Sequence, residues 1–136
     1  MSFLENKKNN TKQNIKQLLL SRKESASNAF RGIVISFQTQ LSVQIQFLFF
    51  LISFFLGVVF NISLIEWCFV ILSSGLMIVM EVINTAFEID IDLTSPEYHP
   101  YARDTKDVSA GAVFITFFIF VIINSIIFLP KILLLI

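Results

Sequence analysis

The sequence predicts an all-α membrane protein: an N-terminal amphipathic surface helix followed by three transmembrane helices. Three observations predict it. First, 55% of the 136 residues are hydrophobic and 16 are Phe, so mean hydropathy reaches +0.77, too apolar for an ordinary soluble domain. Second, the apolar residues gather in three runs, each long enough to cross about 30 Å of hydrocarbon. Third, charge is segregated. Lys7, Lys8, Lys12, Lys16, Arg22, Lys23 and Arg31 precede residue 32, and no Lys or Arg lies between 32 and 102. A net charge of zero therefore hides a basic N-terminal end, which suits an anionic lipid surface and not nucleic acid. A chain of this length makes one domain.

Residues 1–11 are polar and rich in Asn and Lys, and are expected to form a disordered tail ahead of a membrane domain over 12–136. From about 12 to 40, Ile15, Leu18, Leu19, Ala26, Ala29, Phe30, Ile33 and Phe37 recur at three- and four-residue spacing, with basic residues between them. That pattern predicts an amphipathic helix lying on a membrane, interrupted near Ser25–Ser27. The spans are expected at about 43–60, 65–87 and 108–129. Asn61-Ile62-Ser63-Leu64 reads as a tight turn between the first two. Pro96 and Pro100 break helix between the second and third, because proline lacks a donor and restricts its predecessor. Asp104 or Thr105 is the expected N-cap of the third span, which would put Lys106 in its first turn. A cation there opposes the helix dipole unless an anion sits beside it.

By the positive-inside rule, the N-terminus and the loop carrying Arg103 and Lys106 are cytoplasmic, and Lys131 lies outside. The chain reads as a multi-pass membrane protein. Ser73-Ser74-Gly75 and Ser109-Ala110-Gly111-Ala112 are small residues that let helices approach closely. Three helices are too few to enclose a polar site alone, so a homo-oligomer hiding polar stripes at subunit contacts is expected. Cys68 has no intrachain partner and reads as a small buried apolar residue.

The chemistry is carried by Glu81, Asn84, Glu88 and Asp92. At 100° per residue they fall within roughly 80° of one helical face. Carboxylates in a membrane segment are costly and mark function. Oxygen ligands can hold Mg²⁺, a carboxylate can accept a hydroxyl proton, and Lys106 can neutralise phosphate. These are the requirements for moving a phosphoryl group from a nucleotide to a lipid alcohol. The four glycines are scattered, so neither a Walker A loop nor a Gly-rich kinase loop is present. With His99 the only His, a multi-His metal site is excluded. The polar groups gather at one end and give no continuous path for a channel.

The strings Glu81-Val-Ile-Asn84-Thr85-Ala86-Phe-Glu88, Asp92-Leu-Thr-Ser-Pro-Glu97-Tyr98-His99-Pro100 and Lys106-Asp107-Val-Ser-Ala110-Gly111-Ala112 resemble the bacterial diacylglycerol kinase/undecaprenol kinase family. These are small integral-membrane lipid kinases. The likeness covers about residues 25–130 and includes Ala29-Phe30-Arg31-Gly32-Ile33 and Ile65-Glu66-Trp67. It implies a homotrimeric helical bundle with a composite site at the cytoplasmic interface, using ATP and Mg²⁺ to phosphorylate a lipid alcohol. In that frame Glu81 matches the catalytic base and Asn84 the active-site Asn beside it. Glu88 matches the metal- and ATP-binding carboxylate. Asp92, Glu97, Tyr98, His99, Lys106 and Asp107 match nucleotide-binding positions.

One departure stands out. Gln40 occupies the place of a second metal-binding Glu, and Gln46 the place of a His. An amide oxygen can still ligate Mg²⁺ but adds no charge. An active enzyme with a looser site, compensation by Asp90, and a weakened or inactive member acting as a lipid-binding scaffold are the three options. The Leu93–Pro100 loop and the Ile126–Lys131 terminus resemble the branch that phosphorylates undecaprenol to undecaprenyl phosphate. The other branch, diacylglycerol kinases, makes phosphatidic acid.

Overall fold

The structure, a computed structural model, describes the backbone of residues 3–134 and the side chains of residues 14–134 other than 16. Four helices follow one another: α1 (Phe3–Thr39), α2 (Leu41–Val59), α3 (Leu64–Thr94) and α4 (Pro100–Leu133). No strand occurs among the described residues. The chain divides into a unit of residues 1–35 and a unit of residues 36–136.

The first unit is a single helix. It begins at Phe3, so most of the stretch expected as a disordered tail is helical, while residues 1 and 2 lie outside the described residues. The break expected near Ser25–Ser27 does not occur. Instead Ser25 Oγ donates to the Ser21 carbonyl at 2.9 Å, and Ser21 Oγ donates to that of Leu18 at 2.9 Å. These serines satisfy their hydroxyls on the preceding turn and leave the helix intact. Ile15, Leu18, Leu19, Phe30 and Ile33 are all exposed, as the apolar stripe of a membrane-surface helix requires.

The second unit is an antiparallel bundle with α3 at its centre, packed against both α2 and α4. Each of its three helices is long and apolar enough to cross a membrane. Their outward faces carry Phe, Leu, Ile and Val that remain exposed, such as Phe55, Leu72 and Ile122. Phe rings knit α2 to α4, with Phe49 against Phe117 and Phe120, and Phe60 against Phe128.

The turn between α2 and α3 shows how local sequence closes the bundle. Asn61 takes φ +46°, the left-handed conformation that ends many helices. Ile62 N–H donates to the Gly57 carbonyl at 3.1 Å and Asn61 N–H to that of Val58 at 3.2 Å, the paired bonds of a Schellman motif. Ser63 then caps α3. Its hydroxyl accepts from Glu66 N–H at 3.3 Å, and Glu66 Oε2 accepts from Ser63 N–H at 2.7 Å, a reciprocal capping box. Glu66 also meets Lys131 Nζ at 3.1 Å, which ties the end of α4 to the start of α3.

Gly57 is where the helices touch. A Cβ there would sit 2.7 Å from the Trp67 ring and 3.1 Å from Ile62 Cδ1. Gly57→Val should therefore cost about 1–3 kcal/mol through overpacking, read as a lower unfolding midpoint in detergent. An unchanged midpoint would mean that the ring swings away freely. Gly75 and Gly111 differ: an added Cβ would meet nothing within 4 Å. The small-residue runs are thus only partly at helix contacts within one chain. Ser73 and Ser74 are buried with their hydroxyls turned to the Val70 carbonyl. Cys68, expected to be buried, is exposed on the outer face of α3.

Candidate active site

The α3 stripe begins inside the bundle and ends in the open. Glu81 is 5% and Asn84 7% exposed, Glu88 is half-buried, and Asp92 is exposed. Three helices of one chain therefore do bury the inner half of the stripe, contrary to the expectation that subunit contacts are needed for it. The reason is α2, whose Val43, Gln46, Ser53 and Gly57 form its buried residues and lie within roughly 80° of one helical face. One of these is polar and long enough to reach a carboxylate.

Each carboxylate has a specific partner. Gln46 Nε2 donates to Glu81 Oε2 at 2.8 Å. Gln40 Nε2 donates to Glu88 Oε2 at 3.0 Å, and Asn84 Nδ2 donates to Glu88 Oε1 at 2.9 Å. Asn84 Oδ1 in turn accepts from Ser109 Oγ at 2.6 Å. Lys106 Nζ donates to Asp92 Oδ1 at 2.5 Å. The stripe is thus pinned from both sides, by amides of α2 and its N-cap and by Ser109 and Lys106 of α4.

Local structure explains these placements. Gln40 is the single non-helical residue between α1 and α2, with φ −117° and ψ 113°, so its side chain leaves the helix axis and reaches α3. Helix α3 runs beyond the span expected to end near residue 87 and reaches Thr94, as the shared helical face of Glu81, Asn84, Glu88 and Asp92 requires. It therefore carries Asp92 to the stripe and leaves Asp90 exposed on another face, lining a shallow hollow with Ile83, Ala86 and Phe87. Asp90 thus lies off the face that carries Glu88. Helix α4 starts at Pro100 with His99 as N-cap, not at Asp104 or Thr105. Proline suits that first position because the N–H it lacks has no intrahelical acceptor. Lys106 consequently sits in the second turn, where its Nζ meets Asp92 Oδ1.

Past Asp92 lies an open cleft of about 330 Å³ lined by Asp92, Glu97, Tyr98, His99, Lys106 and Asp107, with Arg103 among them. Six of the seven residues expected at the nucleotide share this one cleft; Glu88, the seventh, is not among its lining residues. Arg103 lies 3.6 Å from Asp107 across one turn of α4, and adds a second cation that was not singled out from the sequence. A second hollow of about 200 Å³ lies between α3 and α4, lined by Met80, Ile83, Phe87, Val108 and Ala112 with Asn84, Thr105 and Ser109 as its polar members. Ser109 was also missed. Its signal was spacing, since it lies one helical turn after Lys106 and so shares that residue's face.

No three His, Cys, Asp or Glu side chains converge on one point among the described residues, so these residues form no all-protein metal cage. Mg²⁺ needs none: it is commonly held by one or two carboxylates together with substrate phosphates. Glu88 meets that requirement, and the amide oxygen of Gln40 is the adjacent neutral donor. In the structure the amide nitrogen of Gln40, not its oxygen, faces Glu88.

Residues 27–128 match the family described as prokaryotic diacylglycerol kinase. The chain belongs to that family. Its relatives include an undecaprenol kinase of Bacillus subtilis, 43% identical over 75 residues, which are 55% of this chain and 61% of that protein. A diacylglycerol kinase of Helicobacter pylori is 40% identical over 48 residues, 35% of this chain and 38% of that protein. A diacylglycerol kinase of Synechocystis is 30% identical over 106 residues, 77% of this chain and 61% of that protein. The chain thus spans less than two thirds of the length of these relatives. The family match covers all of α2 and α3 and, with them, every residue of the stripe.

Proposed function

We propose that this protein transfers the γ-phosphoryl group of ATP to the hydroxyl of a membrane lipid alcohol, with undecaprenol as the acceptor. One observation carries the reading. A buried carboxylate, Glu81, is linked along a single helix face to a cation-bearing cleft of about 330 Å³, a size that accepts a small ligand. Buried base and open cleft are what a reaction between a lipid and a water-soluble nucleotide requires. The hollow beside Asn84, Thr105 and Ser109 supports an apolar acceptor, since its remaining lining residues, Met80, Ile83, Phe87, Val108 and Ala112, are apolar.

In this reading the lipid hydroxyl gives its proton to Glu81 as its oxygen bonds to the γ-phosphorus. The bond from that phosphorus to the β–γ bridging oxygen breaks, and ADP leaves. Lys106, held by Asp92, and Arg103 neutralise phosphate charge from the cleft side. Asn84, anchored between Ser109 and Glu88, fixes the orientation of Glu88. Glu88, with the Gln40 amide oxygen, would hold Mg²⁺. When bound, Mg²⁺ supplies charge neutralisation on the phosphates. We place the N-terminus and the cleft on the cytoplasmic side, where ATP is found, and take a homotrimer as the working assembly.

The test is a detergent-micelle assay with labelled ATP and Mg²⁺, offering undecaprenol and diacylglycerol in parallel. Label on undecaprenol supports the reading, and label on diacylglycerol alone would reassign the acceptor. No label on either, from a folded protein of verified oligomeric state, would favour the scaffold reading. That alternative rests on the neutral Gln40 amide facing Glu88. Gln40→Glu separates the two: a gain of about tenfold or more in apparent Mg²⁺ affinity and in rate, from a measurable baseline, marks an enzyme with a loosened metal site.

A further inference from the structure

Gln46 is 6% exposed, and its two ends are in different situations. Nε2 donates to Glu81 at 2.8 Å. Oε1 is buried and has no hydrogen-bond partner among the described residues. A buried polar atom without a partner costs about 1–3 kcal/mol and calls for an explanation. Its location supplies one, because the orphan oxygen belongs to the same amide that already touches the carboxylate proposed as the base.

A side-chain amide carries both donors and an acceptor, whereas Lys and Arg only donate. An ionised carboxylate only accepts, and can use the amide N–H alone. A protonated carboxyl has an O–H to give. Paired with an amide it can close a ring of two hydrogen bonds, amide N–H to carboxyl oxygen and carboxyl O–H to amide oxygen. We infer that Gln46 is a positioning residue that holds Glu81 in both of its protonation states, its N–H serving the carboxylate before transfer and its Oε1 receiving the carboxyl O–H afterwards. The inference rests on the reading of Glu81 as the base.

The proton balance is simple. The lipid hydroxyl loses its proton to Glu81, which becomes neutral, and that proton is parked against Gln46 Oε1. Return to the carboxylate releases it to solvent, and the amide keeps its first bond throughout. No other charged group of α2, α3 or α4 lies within a turn of Glu81. Helix α2 has no charged residue, and α4 has none from Val108 to Pro130. On α3, Glu66 and Glu88 lie about four turns before and two turns after Glu81.

The test is infrared difference spectroscopy of the detergent-solubilised protein through an acid titration, with Glu81→Gln as the blank that identifies the Glu81 carbonyl band. The band of protonated Glu81 in the parent protein should lie at the low frequency of a doubly hydrogen-bonded acid. In Gln46→Met, which fills the space without donor or acceptor, it should move to higher frequency. Turnover of Gln46→Met should fall roughly ten- to hundredfold in kcat with the lipid KM retained, in keeping with the loss of one or two hydrogen bonds made by a reacting group. A band unmoved by the substitution, or a loss confined to KM, would overturn the inference. If Gln46→Met does not fold, the parent band alone decides, since an unpaired-acid frequency there overturns it equally. Failure of the parent reading looks different: Glu81→Gln would keep its turnover, while the infrared bands would still report on the pair.

Discussion

Glu81→Gln is expected to lower turnover by on the order of 10²–10⁴-fold, the range that a positioned general base supplies. The substitution swaps one oxygen for an NH₂ and keeps the shape, so the bundle should survive. It does change one contact: Gln46 Nε2 now donates to Glu81 at 2.8 Å, and the new amide can still offer an oxygen there. Packing of α2 on α3 therefore persists, and loss of rate can be assigned to loss of the base. The measurement is label transfer to lipid across a pH series, with helicity and oligomeric state checked beside it. Turnover within about tenfold of the parent would remove Glu81 from the base role.

The second large effect is expected at Glu88. Two amide N–H groups converge on it, from Gln40 and Asn84, and Asn84 is itself held by Ser109. Glu88→Gln removes the carboxylate proposed to meet Mg²⁺ and sets an NH₂ against one of the two donors. The expected loss in kcat/KM for ATP is on the order of a hundredfold or more, with the Mg²⁺ requirement moved to higher concentration. Titrating Mg²⁺ at fixed ATP distinguishes this from a folding defect, because excess metal should recover part of the rate only if binding is what failed. A fall in kcat with no change in Mg²⁺ or ATP dependence would argue that Glu88 acts on the lipid side.

The four helices and their order were legible because hydrophobic run length and helical periodicity are strong local signals. So was the stripe, since the positions of Glu81, Asn84, Glu88 and Asp92 follow from 3.6-residue geometry. The helix ends were less legible. The apolar run of α3 ends near residue 87, and only the stripe, by placing Glu88 and Asp92 on the same face, shows that the helix continues to about Thr94. Pro100 reads as a breaker in sequence and is instead a helix start. The partners of the stripe were the least legible. Gln46 and Glu81 are joined across two helices, and no spacing rule within one helix reports such a pair. Gln40 drew attention only as a departure from a family pattern, and its bond to Glu88 depends on the one-residue break that frees it from the helix axis.

The bond between Gln40 and Glu88 also sets a depth. It fixes the start of α2 level with Glu88, and the 19 residues of α2 rise about 28 Å to the far turn, where Glu66 and Lys131 meet. Glu81 lies seven residues further along α3 than Glu88, or about 10 Å nearer the bilayer midplane. With Glu81 as the proposed base, an acceptor hydroxyl must sink that far to react, so hydrocarbon thickness becomes a variable: turnover should peak in bilayers near the length of α2 and fall on either side.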